Sequence, residues 1–166
     1  MLRCVRALQS LVRGDATLLA ELSALYAQVD ALYADWSCPN STECCRFGIT
    51  GRQPYVTTIE ASAIRHALAE RGGLLEQPRR ALPVLLSEAH ERVCPLLDRD
   101  QRCSVYAARP LGCRTFYCNK ARRGAGPERE RLLELTRDLQ VLAARHSLGG
   151  ETARPLLRVL DSGWGG

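Results

Sequence analysis

The sequence predicts a mainly α fold, a small helical domain with a short irregular or β-hairpin cysteine cluster. Apolar residues recur every three or four positions in several separate stretches, the spacing of a buried helix face. Seven of the eight cysteines fall in two windows, residues 38–45 and 94–118, where glycine, proline and turn-forming residues interrupt any regular period. At 166 residues the chain has the length of one compact domain. Residues 1–166 are therefore read as a single domain, with a cysteine-cluster core at 38–118 flanked by helices at 15–36 and 127–148.

The elements follow in order. The first thirteen residues, MLRCVRALQSLVR, are basic and acid-free but lack the continuous apolar run and small-residue cleavage site of a secretory signal. A transit-peptide reading stays open beside that of an amphipathic helix with Leu2, Val5, Leu8, Leu11 and Val12 on one side. Asp15 is placed to cap a second helix, whose stripe is Leu18, Leu22, Leu25, Val29, Leu32 and Trp36. After the first cysteine window, GITGRQPYV reads as a loop or short extended piece. Thr57 and Glu60 have the spacing of a capping box. The helix they open turns Ile59, Ala63, Ile64, Ala67 and Leu68 inward and stops at Arg71–Gly73, where glycine suits the C-cap. A third helix is expected over about 76–93, kinked or displaced by Pro83. In the second window, Asp98–Gln101 reads as a turn between two extended runs, 95–97 and 103–106. Pro127 suits a helix start and Glu128 and Glu130 its positive end; Leu132, Leu135, Leu139, Leu142 and His146 continue that helix. The segment TARPLLRVL is expected to pack as a last helix.

Composition narrows the function classes. No apolar run approaches the roughly 18 residues that span a bilayer, so no membrane insertion is expected. The net charge is +5, from 23 basic and 18 acidic residues, spread along the chain without a recognisable reader fold, which argues against nucleic acid as a partner. The expected location is cytoplasmic. Eight cysteines in a reducing compartment point away from a disulfide scaffold and toward metal binding or redox chemistry.

The spacings narrow that chemistry. The first window holds Cys38, Cys44 and Cys45; the second holds Cys94, Cys103, Cys113 and Cys118. No C-x-x-C occurs, which weighs against a zinc finger and a thioredoxin-like site. All seven cysteines are metal-ligand candidates. Cys4, alone in an amphipathic stretch, reads as a small core residue. The adjacent pair Cys44–Cys45 would point to opposite faces of an extended chain, which suits a bridge between two sites, or a ligand next to a thiol with another job, better than one tetrahedral ion. Seven thiols exceed the four that one ion takes, so two sites or a multinuclear cluster are both open. Glu43, a nearby Asp, a water or His90 could complete a site. Arg102, Arg109 and Arg114 are placed to offset thiolate charge and to hydrogen-bond sulfur.

These motifs carry a resemblance. Cys94-Pro95, Cys103-Ser104, Tyr106, Arg109-Pro110, Cys113-Arg114, Phe116 and Cys118 resemble the second motif of the YkgJ-like cysteine-cluster proteins, a family with a zinc- or iron-chelating domain that includes flagellin lysine N-methylases. The family's first motif is C-x-x-C-x-x-C-C. Cys38, Cys44 and Cys45 match its first, third and fourth cysteines, and Ser41 stands at the second. A hydroxyl is a poor ligand for soft metals, so an eight-cysteine cluster is not expected here. The resemblance implies a cofactor of zinc or iron, including an iron–sulfur cluster, joining the two windows, with no catalytic residue assigned. Two other functions stay open: a metal-dependent protein-modifying enzyme of the lysine N-methylase kind, and an iron–sulfur electron-transfer or sensor protein. The protein partner is unknown.

Overall fold

A computed structural model describes residues 2–36, 42–73, 93–116, 126–147 and 152–161, with side chains from Asp15 onward. The fold is mainly α. Helix α1 spans Leu2–Ala31, α2 Phe47–Thr50, α3 Thr58–Glu70, α4 Leu111–Arg114, α5 Arg129–His146 and α6 Leu156–Asp161. Two short strands, β1 (Tyr55–Val56) and β2 (Arg154–Pro155), pair antiparallel, with Tyr55 opposite Pro155 and Val56 opposite Arg154.

The first two expected helices are one. No break occurs at Gly14–Asp15, because a single helix glycine costs only about 1 kcal/mol and no proline forces a stop. Asp15 is therefore not a cap; its carboxylate lies 3.8 Å from Nε2 of His146. The helix also ends at Ala31 rather than at Trp36, passing into turns closed by Tyr33 N–H to Asp30 O (3.1 Å) and Trp36 N–H to Tyr33 O (2.9 Å). The helix expected over 76–93 lies outside the described residues, except that Val93 forms a bridge with Arg46.

The chain builds two apolar clusters that meet at α3. In the first, Leu22, Leu25, Tyr26, Val29 and Tyr33 of α1 pack on Leu135, Leu139, Leu142 and Ala143 of α5, with Ile59 and Leu111. The expected stripe of α1 is right for its middle, while Leu18, Leu32 and Trp36 are only partly buried. In the second, Ala61, Ile64 and Leu68 of α3 meet Phe47, Val56 and Leu156 and the cysteine-window residues Cys94, Leu96, Leu97 and Val105. Successive side chains of one helix thus face long helices on one side and irregular chain on the other.

α3 begins as its sequence dictates. Thr57 Oγ1 accepts the Glu60 N–H, and the Glu60 carboxylate accepts the Thr57 N–H at 2.9 Å, a reciprocal capping box. It ends at Glu70 with Arg71 as its C-cap, and the chain then turns through Gly72 and Gly73, with φ of +83° and +103°, values that glycine adopts without steric cost. The expected hairpin turn is present too. Leu97 bridges Cys103, Asp98 N–H donates to Arg102 O (2.8 Å), and Gln101 takes a left-handed φ of +58° to close the loop.

Candidate metal centre

The two cysteine windows meet. Cys45 O accepts the Cys94 N–H at 2.8 Å, and the Arg46–Val93 bridge continues the pairing. Cys44 and Cys45 lie on a 3-10 turn, Glu43–Cys45, preceded by Thr42 at a φ of +54°. Cys94 precedes the hairpin, Cys103 lies on its return arm, and Cys113 lies on the single turn α4. Cys44, Cys45, Cys94, Cys103 and Cys113 are free thiols that line one cavity of about 610 Å³, and Arg109 lines it with them. Cys38 and Cys118 lie outside the described residues, as do Ser41 and His90.

The vicinal pair departs from the sequence expectation. In an extended chain the two side chains would diverge; the 3-10 turn rotates them onto one side, and their sulfurs stand 3.8 Å apart. Two thiolates on a single tetrahedral ion, each at about 2.3 Å from it, are separated by about 3.8 Å. The pair therefore fits a shared ion. As the side chains stand, no group of three Cys, His, Asp or Glu among the described residues closes around an ion. Cys94, Cys103 and Cys113 supply the remaining wall of sulfur. Rotation of one cysteine between staggered χ1 wells moves its sulfur by about 3 Å.

Burial and neighbouring thiols set the proton affinities. The Cys44 and Cys45 sulfurs share a hydrogen bond, and this bond, with help from backbone N–H groups and the Arg109 guanidinium, brings Cys44 down to about 7. Cys45 goes the other way, raised by the bond to Cys44, by burial and by the neighbouring thiols. Burial pushes Cys94 up to about 12, and it also raises Cys103 and Cys113. Above pH 9, the ordinary thiol value, the unfolded chain has released protons that the folded chain keeps. Stability of the metal-free protein then falls toward about pH 12. Cys44 has the opposite sign and adds stability between about pH 7 and 9. A thermal-melt series on metal-free protein is expected to peak near pH 9; a melting temperature that climbs steadily to about pH 11 would contradict the burial of these thiols.

The arginines divide differently from the sequence reading. Arg109 faces the thiols, lies 3.5 Å from Asp30 and sits 4.0 Å over the Tyr106 ring. Arg114 does not serve sulfur. Its guanidinium is buried at 3% exposure, donates to Asp30, to Ala107 O and to Arg109 O, and lies 4.0 Å over the Tyr26 ring. Arg102 is exposed; its backbone N–H donates to Asp98 Oδ1. Arg114 thus ties the Cys113 turn to α1. Gly112 lets that turn approach β1, because a Cβ there would lie 3.0 Å from Pro54 Cβ.

Glu60, expected only as a cap, is the residue that sequence reasoning missed. It is 1% exposed. Its Oε1 accepts the Tyr26 hydroxyl at 3.1 Å and the Leu111 N–H at 2.7 Å, and its Oε2 accepts the N–H and Oγ1–H of Thr57, each at 2.9 Å. One carboxylate thereby joins α1, the start of α3 and the turn that carries Cys113.

The family model CxxCxxCC, described as "Putative zinc- or iron-chelating domain", matches residues 37–132, more than half of the chain. No curated protein and no solved structure matches it. The match covers both cysteine windows, with Ser41 in place of the motif's second cysteine, and the chain belongs to the CxxCxxCC family.

Proposed function

We propose that the chain holds zinc or iron through thiolates of both cysteine windows, and that this centre fastens the irregular half of the fold. Cys44, Cys45, Cys94, Cys103 and Cys113 are the proposed ligands, with Cys38 and Cys118 as further donors. The observation that carries this reading is the 3.8 Å separation of the Cys44 and Cys45 sulfurs on a wall that three thiols from the other window complete. Soft thiolates select zinc or iron over hard cations such as magnesium and calcium.

Five thiols around one cavity favour a second form of the same function, because one ion takes four. An iron–sulfur cluster or a two-ion site would use the surplus. Other details belong to this reading as well. A thiolate centre of this kind suits a reducing compartment, so we place the protein in the cytoplasm. No helix among the described residues is long and apolar enough to cross a membrane.

Anaerobic purification, elemental analysis and a visible spectrum test the proposal together. One or two zinc ions in a colourless protein support the zinc form; strong visible absorption with iron and sulfide supports a cluster. X-ray absorption is expected to show a first shell dominated by sulfur, near 2.3 Å. A protein purified without zinc or iron, or a shell made of oxygen and nitrogen, would overturn it.

A further inference from the structure

The cavity floored by the thiols is too large for an ion alone. Its roughly 610 Å³ lies within the range of small-molecule sites, about 300–1,000 Å³. Beyond the sulfurs its walls are apolar and aromatic, with Phe47, Leu96, Val105 and Phe116 among them. Tyr55 and Tyr106 also line it and stay 61% and 55% exposed. Solvent-exposed rings beside part-buried thiols give the cavity an open aromatic side.

Its permanently charged side chains are basic. No Asp or Glu among the described residues lines it, whereas Arg52 and Arg109 do. The two cavity arginines differ in what they face. Arg109 already answers the thiols and Asp30. Arg52 is exposed, has no carboxylate within ion-pair distance among the described residues, and lies 5.3 Å over the Phe116 ring. A guanidinium stacked on a ring keeps its edge free, and that edge presents two parallel N–H donors to a carboxylate.

We propose that this cavity binds a small organic carboxylate with an apolar body, its carboxylate on Arg52 and its body against Phe116 and the neighbouring apolar wall. The proposal builds on the metal reading, since the same cavity carries the thiols, but it rests on Arg52 and the apolar walls rather than on the ion. A protonated amine of the same shape meets Arg52 and has no carboxylate among the described lining residues to pair with, and a neutral amide forfeits the charge of the bond.

Isothermal titration of the full chain as purified, at matched ionic strength, tests this with benzoate, benzamide and benzylamine, which share one body and differ in charge. Benzoate is expected to bind about threefold to fivefold tighter than the other two, as an ion pair on an exposed guanidinium implies. Arg52→Gln is expected to bring benzoate down to the benzamide level, and Arg52→Lys to lose part of its advantage. Equal affinities, tightest binding of benzylamine, or benzoate affinity unchanged in Arg52→Gln would each overturn the proposal. Metal content is assayed on the same samples. Benzoate selectivity in a protein free of zinc and iron would sink the metal reading alone; metal without benzoate selectivity would sink this one alone.

Discussion

Glu60→Gln is expected to weaken metal binding by about 10- to 100-fold, the usual cost of disturbing a group that orients ligands, although Glu60 is no proposed ligand. The carboxylate accepts four hydrogen bonds in a buried site. An amide offers one acceptor oxygen and two donors. If that oxygen keeps the Leu111 N–H, the new NH₂ faces the N–H of Thr57, and the reverse placement strands Leu111. Leu111 opens the turn that carries Cys113, so the second case releases that ligand directly and the first unseats the start of α3. Glu60→Ala goes further, leaving the Tyr26 hydroxyl and two backbone N–H groups buried without partners, at a cost of about 3–5 kcal/mol in total. Competition with a chromophoric chelator reads the affinity, and alkylation with mass spectrometry reads which thiol is freed. Cys113 is expected to become reactive in the metal-loaded Glu60→Gln variant while Cys94 stays protected. Ile64→Val, a conservative core change that leaves the four hydrogen bonds of the Glu60 carboxylate in place, serves as the comparison and should lower the melting temperature without exposing Cys113. Equal exposure in both variants would reduce Glu60 to a generic contributor to stability.

The same residue shows how far the sequence can be read. The capping box was legible because its two partners are three residues apart and the chemistry is local. The bonds to Tyr26 and Leu111 span 34 and 51 residues, and no periodicity encodes them. The helix stripes were legible for the same local reason, since α1 and α5 bury Leu25, Val29, Leu135 and Leu139 at helical spacing. The β1–β2 pair was not, because two-residue strands are too short to show an alternation. For the cysteines, clustering in sequence pointed to one centre, but the assumption of extended backbone at Cys44–Cys45 gave the wrong geometry. A left-handed residue at Thr42 and the 3-10 turn after it decide that orientation, and threonine is no conventional marker for such a turn. Arg114 was misread in a comparable way: its place beside Cys113 suggested service to sulfur, yet the turn of α4 sends it toward α1.

Removing the metal is expected to unfold the two halves of the protein unequally. The cluster between α1 and α5 rests on helices of 30 and 18 residues, each closing its own backbone hydrogen bonds. The other cluster draws on Cys94, Leu96, Leu97 and Val105, which sit in chain held by isolated bridges and one-turn helices. Such segments bring little cooperative backbone structure of their own, so a thiolate–metal centre across them supplies much of what keeps them folded. Apparent free energies of structural zinc sites, about 10–16 kcal/mol in small modules, exceed the stability of most domains. Hydrogen exchange with and without a strong chelator separates the halves. Protection across residues 93–116 and 43–50 is expected to fall by several orders of magnitude on chelation, while the interiors of α1 and α5 lose little. α3 should divide along its length, because Ile59 packs with the long helices and Leu68 with the cysteine side; its C-terminal turns exchange first. Uniform loss of protection through every helix would mean that the metal holds a single cooperative unit. Unchanged protection near the cysteines would mean that the ion, though bound, contributes little to the fold.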